Sequence, residues 1–227
     1  MDDKTRGHSR WLPQDVPPEG QRAALHRLAA AIRRINAAMM ETEAPQDEIE
    51  SATEAAERFA ERLEAGPRHR ALWGFAESSN AGDTRAFFDN SPIFGLANPT
   101  APPLAVTMDG ARAIATVSFG VAYEGPPGHV HGGWVAASFD EVLGMVQSAS
   151  GNPGMTGTLT VKYRRPTPLY REVRFEGQLD RVDGRKIFTT GTLWDGETLC
   201  AEAEAVFISV DFERMRAMAE GAAGGER

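Results

Sequence analysis

Residues 129–144, HVHGGWVAASFDEVLG, gather the side chains and spacings best suited to chemistry. Gly132 and Gly133 lead directly into an apolar-periodic segment, so a ligand can approach the first backbone N–H groups of a helix closely. Those groups lack intrahelical partners and carry the positive end of the helix dipole, which suits a developing oxyanion. A tight turn supplied by the two glycines is the equally open alternative. Asp140 lies roughly 100° around the helix from the centre of the apolar stripe. Its neighbours on that face are Ala136, Ala137 and Gly144, small enough to admit a partner helix or a ligand. A solvated surface aspartate is the other reading, although such faces more often carry lysine, glutamate and arginine.

Several chemistries are absent from the sequence. There is no G-x-x-x-x-G-K-S/T phosphate loop, no G-x-G-x-x-G after a strand, no G-x-S-x-G elbow and no H-E-x-x-H. His129 and His131 have no third ligand in view, so metal binding is not expected. The single cysteine, Cys200, excludes an intrachain disulfide and reads as a buried, inert thiol among alanines. With 32 acidic against 24 basic residues and a net charge of −8, spread evenly along the chain, nucleic-acid binding is disfavoured. No run of eighteen apolar residues spans a membrane, and the polar start of the chain lacks the apolar core of a signal peptide; the expected location is cytoplasmic.

The elements that must hold these residues follow from periodicity. Residues 1–19 read as a polar tail. Within 20–80, Leu25, Leu28, Ala29, Ile32, Ile35, Met39 and Met40 form one helical stripe. Ile49, Ala52, Ala56, Phe59 and Leu63 form a second beyond a break at 44–48, predicting an αα-hairpin that needs another surface to bury its stripes. Residues 81–105, with prolines at 92, 99, 102 and 103, read as a linker or site loop. In 106–212, period-two alternation from Ala113 to Val121 predicts a strand, 134–148 a helix, and 156–163, 172–182, 186–194 and 198–210 four strands joined by short turns. Asp183-Gly184 and Asp195-Gly196 favour tight hairpins. Residues 213–227 read as a second tail. One helix against an antiparallel sheet of about five strands is an α+β architecture.

On these residues the sequence resembles the hotdog-fold acyl-CoA thioesterases, especially the phenylacetate-pathway type and its mammalian relatives. The resemblance rests on His131-Gly132-Gly133, on an acid nine residues after the histidine (Asp140) and on Gly144. It continues through GMTGTLTVKYRRPTPL at 154–169, where Thr156 matches the family's hydroxyl residue and Tyr163–Pro166 its Y-x-R-P element. It covers residues 92–210 and implies an antiparallel sheet wrapped around one central helix, here with an N-terminal helical extension. It further implies that the Gly132 N–H polarises a thioester carbonyl, that Asp140 attacks it or activates water, and that Thr156 holds Asp140 or the water. Without the resemblance, Thr156 is an ordinary β-branched strand residue. One departure is Gly125, which stands where some relatives have an asparagine.

The expected activity is hydrolysis of an acyl-CoA to free acid and CoA, with no cofactor beyond the coenzyme A of the substrate. His131 and Gly133 are expected beside the thioester, Phe94, Leu96 and Trp134 along the acyl chain, and Arg164 and Arg165 at the CoA phosphates. The alternative is a non-catalytic acyl-CoA-binding protein. A hydratase is disfavoured because Met145 stands where those enzymes place a histidine, and a scaffold role would rest on the N-terminal helices. Gly132 and Asp140 are eight residues apart, roughly 12 Å along a helix and too far for one acyl carbon to meet both, so a homodimer or dimer of dimers is expected.

Overall fold

A computed structural model describes residues 18–67, 89–152 and 154–210. The two tails therefore lie almost wholly outside the described residues, as do residues 68–88, which include the end of the expected extension and the start of the loop. Two helices come first, α1 (Gly20–Glu41) and α2 (Gln46–Glu64). Strands β1 (Ala105–Asp109) and β2 (Arg112–Ser118) follow, then a 3-10 turn at Val121–Tyr123 and helix α3 (Gly132–Ser148). Strands β3 (Gly154–Tyr163), β4 (Glu172–Asp183), β5 (Lys186–Asp195) and β6 (Thr198–Ser209) complete the domain.

All six strands join one antiparallel sheet in the order β1-β2-β4-β5-β6-β3, the expected hotdog arrangement with α3 as its central helix. Its alternation is clear in β2, where Ala113, Ala115 and Val117 are buried and the residues between them face outward. The stripe Val135, Phe139, Val142, Leu143 and Val146 is wholly buried against this face. Helix and sheet approach closely because Gly177 and Gly191 face each other across β4 and β5. A Cβ on Gly177 would stand 3.1 Å from Val142 and Val146, and one on Gly191 would stand 3.1 Å from Leu143.

Three expectations are corrected. A strand precedes the alternating segment: β1 pairs with β2 through a turn at Asp109-Gly110, although its flanking prolines make the region read as loop. The last four strands are not a simple meander, since β3 pairs with β6 and the chain then crosses to β4. The expected αα-hairpin does not close either, because α1 and α2 do not pack along one another. No residue of α2 is buried, and in α1 only Ala29 is.

The reason is that α1 docks through a mainly polar face. Arg22, His26, Ala29 and Arg33 recur at four, three and four, and so share one side of the helix. Arg22 and His26 each reach the Asp89 carboxylate at 2.7 Å. Arg33 donates to the carbonyl of Asn98 at 2.8 Å, and the Tyr170 hydroxyl donates to Glu41. Of the apolar stripe, Ala29 is buried with this face, whereas Ile35, Met39 and Met40 are all more than half exposed.

Candidate active site

The start of α3 leaves one donor open. His131 is the N-cap, in extended backbone, and its Nδ1 accepts the Gly133 N–H at 3.0 Å. The N–H groups of Trp134 and Val135 donate to the His131 carbonyl. Of the four amides from His131 to Trp134, which a helix start leaves without an i−4 partner, Gly132 alone donates to no described residue, since the His131 N–H donates to the Tyr123 carbonyl at 2.9 Å. Gly133, expected as a second substrate contact, has its amide engaged by His131 instead.

Asp140 sits two turns further along on the small-residue face, half-buried. The Thr156 hydroxyl donates to its Oδ1 at 2.8 Å. This contact depends on a β-bulge in β3 between Thr156 and Thr158. Val161 and Leu159 face the core, and counting back in steps of two would next bring Gly157 inward. The extra residue shifts the phase by one and turns Thr156 toward the helix. At the opposite end of the same strand, the Tyr163 hydroxyl donates to the Gly132 carbonyl at 2.7 Å.

The departure at position 125 has a steric cause. A Cβ on Gly125 would lie 2.7 Å from the His131 Cα, so no side chain fits where the chain folds back before the helix. Among the other expected contacts, Trp134 is half-buried and meets Tyr123 edge-on with ring centroids 5.0 Å apart. Leu96 is 40% exposed, whereas Phe94 is only 2% exposed and belongs to the core. Arg164 is exposed but paired with Glu202 at 2.6 Å. Arg165, also exposed, takes part in none of the ion pairs of the described residues. Cys200 is buried, and burial pushes its thiol up, away from thiolate chemistry.

Sequence reasoning missed Glu141, beside Asp140. Its carboxylate accepts from the hydroxyl of the fully buried Ser91 at 2.8 Å. That hydroxyl also accepts the N–H groups of Ile93 and Phe94, so its one proton is committed to Glu141. The available signal was the company Glu141 keeps: Ala137, Ser138, Gly144 and Met145, its neighbours three and four residues away, are small or apolar. Burial pushes the Glu141 carboxyl up to about 7; the Ser91 bond opposes the rise, and the charge of Asp140 adds to it.

This shift has a consequence for stability. An unfolded chain releases the proton near the ordinary value of 4.5, the folded chain near 7. Between those values the folded state binds more protons. Stability therefore falls as pH rises through this window, and the full loss is present above about 7. Its size is on the order of 3 kcal/mol. Glu141→Gln keeps an acceptor for Ser91 but carries no charge. It should raise the urea midpoint at pH 8 much more than at pH 5, and an equal change at both would refute this account.

A family model described as the thioesterase superfamily matches residues 127–202. Acyl-coenzyme A thioesterase THEM4 of Mus musculus is 36% identical over 105 residues, 45% of this chain and 45% of that protein. Acyl-coenzyme A thioesterase THEM5 of Homo sapiens is 26% identical over 142 residues, 62% of this chain and 57% of that protein. The chain thus spans about half the length of these curated relatives. A crystal structure described as a thioesterase superfamily protein is similar over 86% of this chain and 94% of its own, with a TM-score of 0.76 and 34% identity.

Proposed function

The chain belongs to the thioesterase superfamily, and from that premise we propose that it hydrolyses an acyl-CoA thioester to the free acid and CoA. The observation that carries this reading is the Asp140 carboxylate held by the Thr156 hydroxyl on a face of small residues. A thioester is activated enough for one positioned carboxylate and one oxyanion donor to suffice. The Gly132 N–H is the donor, and Asp140 attacks the carbonyl or takes a proton from water, with Thr156 fixing the carboxylate. The reaction so drawn uses the chain's own groups, with coenzyme A entering as part of the substrate. Arg165, exposed and in none of the ion pairs of the described residues, would meet its phosphates, and Leu96 and Trp134 would offer apolar surface to the acyl group.

Both groups act on one carbonyl only if they come from different protomers, since about 12 Å of helix separates them. A homodimer supplies this, and a dimer of dimers repeats it. The outer edge of β3 supports the assembly: among the described residues the strand pairs with β6 alone, and it carries Met155 and Tyr163 about half exposed. An open edge of this kind favours pairing with another strand, here β3 of the second copy. No helix among the described residues is long and apolar enough to cross a membrane, and we place the reaction in the cytoplasm.

Thiol release from a panel of acyl-CoAs, varied in chain length and aromaticity, tests the proposal. Turnover of at least one thioester with saturation is the expected result. Tight binding across the panel without thiol release would instead identify an acyl-CoA-binding protein.

A further inference from the structure

Two glycines in succession make a mobile helix start, yet the oxyanion donor has to be rigid to be useful. The peptide joining Gly132 to Gly133 is held at both ends. Its carbonyl accepts from the Tyr163 hydroxyl at 2.7 Å, and its N–H donates to the His131 Nδ1 at 3.0 Å. The His131 carbonyl, in the preceding peptide, is held by the amides of Trp134 and Val135. The group left open between these ties is the Gly132 N–H. The absence of a side chain at Gly132 is part of the arrangement, because a Cβ there would come within 3.3 Å of the phenol oxygen. Desolvation raises the phenol's pKa, so it stays protonated and able to donate.

We propose that Tyr163 is a positioning residue for the oxyanion amide: with His131 it clamps the Gly132–Gly133 peptide and aims the Gly132 N–H at the thioester carbonyl. This rests on the thioesterase reading and adds a residue to it. Tyr163 acts through the Gly132–Gly133 peptide, which meets at the Gly132 Cα the peptide that carries the donor N–H. Strand β3 thereby serves both halves of the chemistry, with Thr156 on the carboxylate and Tyr163 on the amide.

Tyr163→Phe removes one oxygen and keeps the ring. It should lower kcat by ~10–10²-fold, the scale of a small misplacement of a catalytic group, and leave KM within about two-fold. Affinity for an S-alkyl-CoA thioether, which has no carbonyl, should not change, whereas a ketone analogue should bind more weakly. Exchange of the Gly133 amide, followed by NMR, should accelerate about ten-fold as the clamp opens. If Tyr163→Phe is unstable, Gly132→Ala provides the second route, since its methyl would press on the phenol oxygen at 3.3 Å and shift it while the amide remains; a kcat loss of the same sign is expected, and none would overturn the proposal. An active wild type with unchanged kcat in the variant overturns the proposal. If the wild type hydrolyses no thioester, the activity reading fails separately and amide exchange decides: acceleration at an unchanged melting temperature upholds the clamp, and unchanged exchange overturns it.

Discussion

Asp140→Asn should give a folded protein whose thioester hydrolysis is slower by ~10²–10⁴-fold, the range for loss of a positioned base. The asparagine keeps a carbonyl oxygen where Oδ1 stands, so the Thr156 hydroxyl retains its acceptor and the helix its contact with β3. What disappears is the negative charge that attacks the carbonyl or receives a proton from water. Asp140 is also only half-buried and its helix is anchored elsewhere, by Phe139, Val142 and Leu143. The melting temperature should therefore move little, and KM should change far less than kcat. The Coulombic pressure on Glu141 would also ease, since Asp140 contributes to the rise of that carboxyl. Near-wild-type turnover with an unchanged melting curve would end the assignment of Asp140 as the reacting group.

The second large effect is a restoration. Gly132→Pro removes the open N–H at the first position of α3, where proline's fixed φ suits a helix start. His131 already has φ −61 and ψ 132, the extended conformation required before proline. Gly132→Pro and Asp140→Asn should each be nearly inactive alone. Unfolded together and refolded, half the dimers should be mixed, each with one site built from an intact amide and an intact carboxylate. The expected yield is about a quarter of wild-type activity, as follows from random pairing in a two-fold dimer. A refolded mixture shown by tags to contain heterodimers, yet inactive while the proline variant remains folded, would exclude a site shared between protomers.

Where local pattern and global packing agree, the sequence was readable. The buried stripe of α3, the Asp183-Gly184 and Asp195-Gly196 hairpins and the extended character of 172–182 all express a period or a turn chemistry within a few residues. Strand β1 was not readable because five residues beside prolines 99, 102 and 103 offer too little alternation to outweigh the breakers. The placement of β3 beside β6 is a long-range pairing with no local trace. In the site, His131, Gly132 and Asp140 stood out by type and spacing, but Thr156 needed the family resemblance, because only the bulge at Gly157 turns it inward. Tyr163 was visible merely as part of an element. Its bond to a backbone carbonyl leaves no pattern in the chain. Arg22, His26 and Arg33 leave no such trace, because polar residues at helical spacing have the pattern of a solvated face.

The pairing of β3 with β6 also sets an order of events as the chain leaves the ribosome. Helix α3 and β3 emerge close together, yet β3 has no neighbour in the sheet until the last strand arrives. Through β4 and β5 the nascent chain carries a strand with both edges open, and the hydroxyls of Thr156 and Tyr163 have no fixed frame from which to reach the helix. Non-local strand pairings of this type are slow, and unpaired edges are exposed to association while they wait. Synthesis of β6 thus completes the sheet and seats Thr156 and Tyr163 against the helix in a single step, and a chain interrupted before it has a hydrophobic helix and an unseated strand.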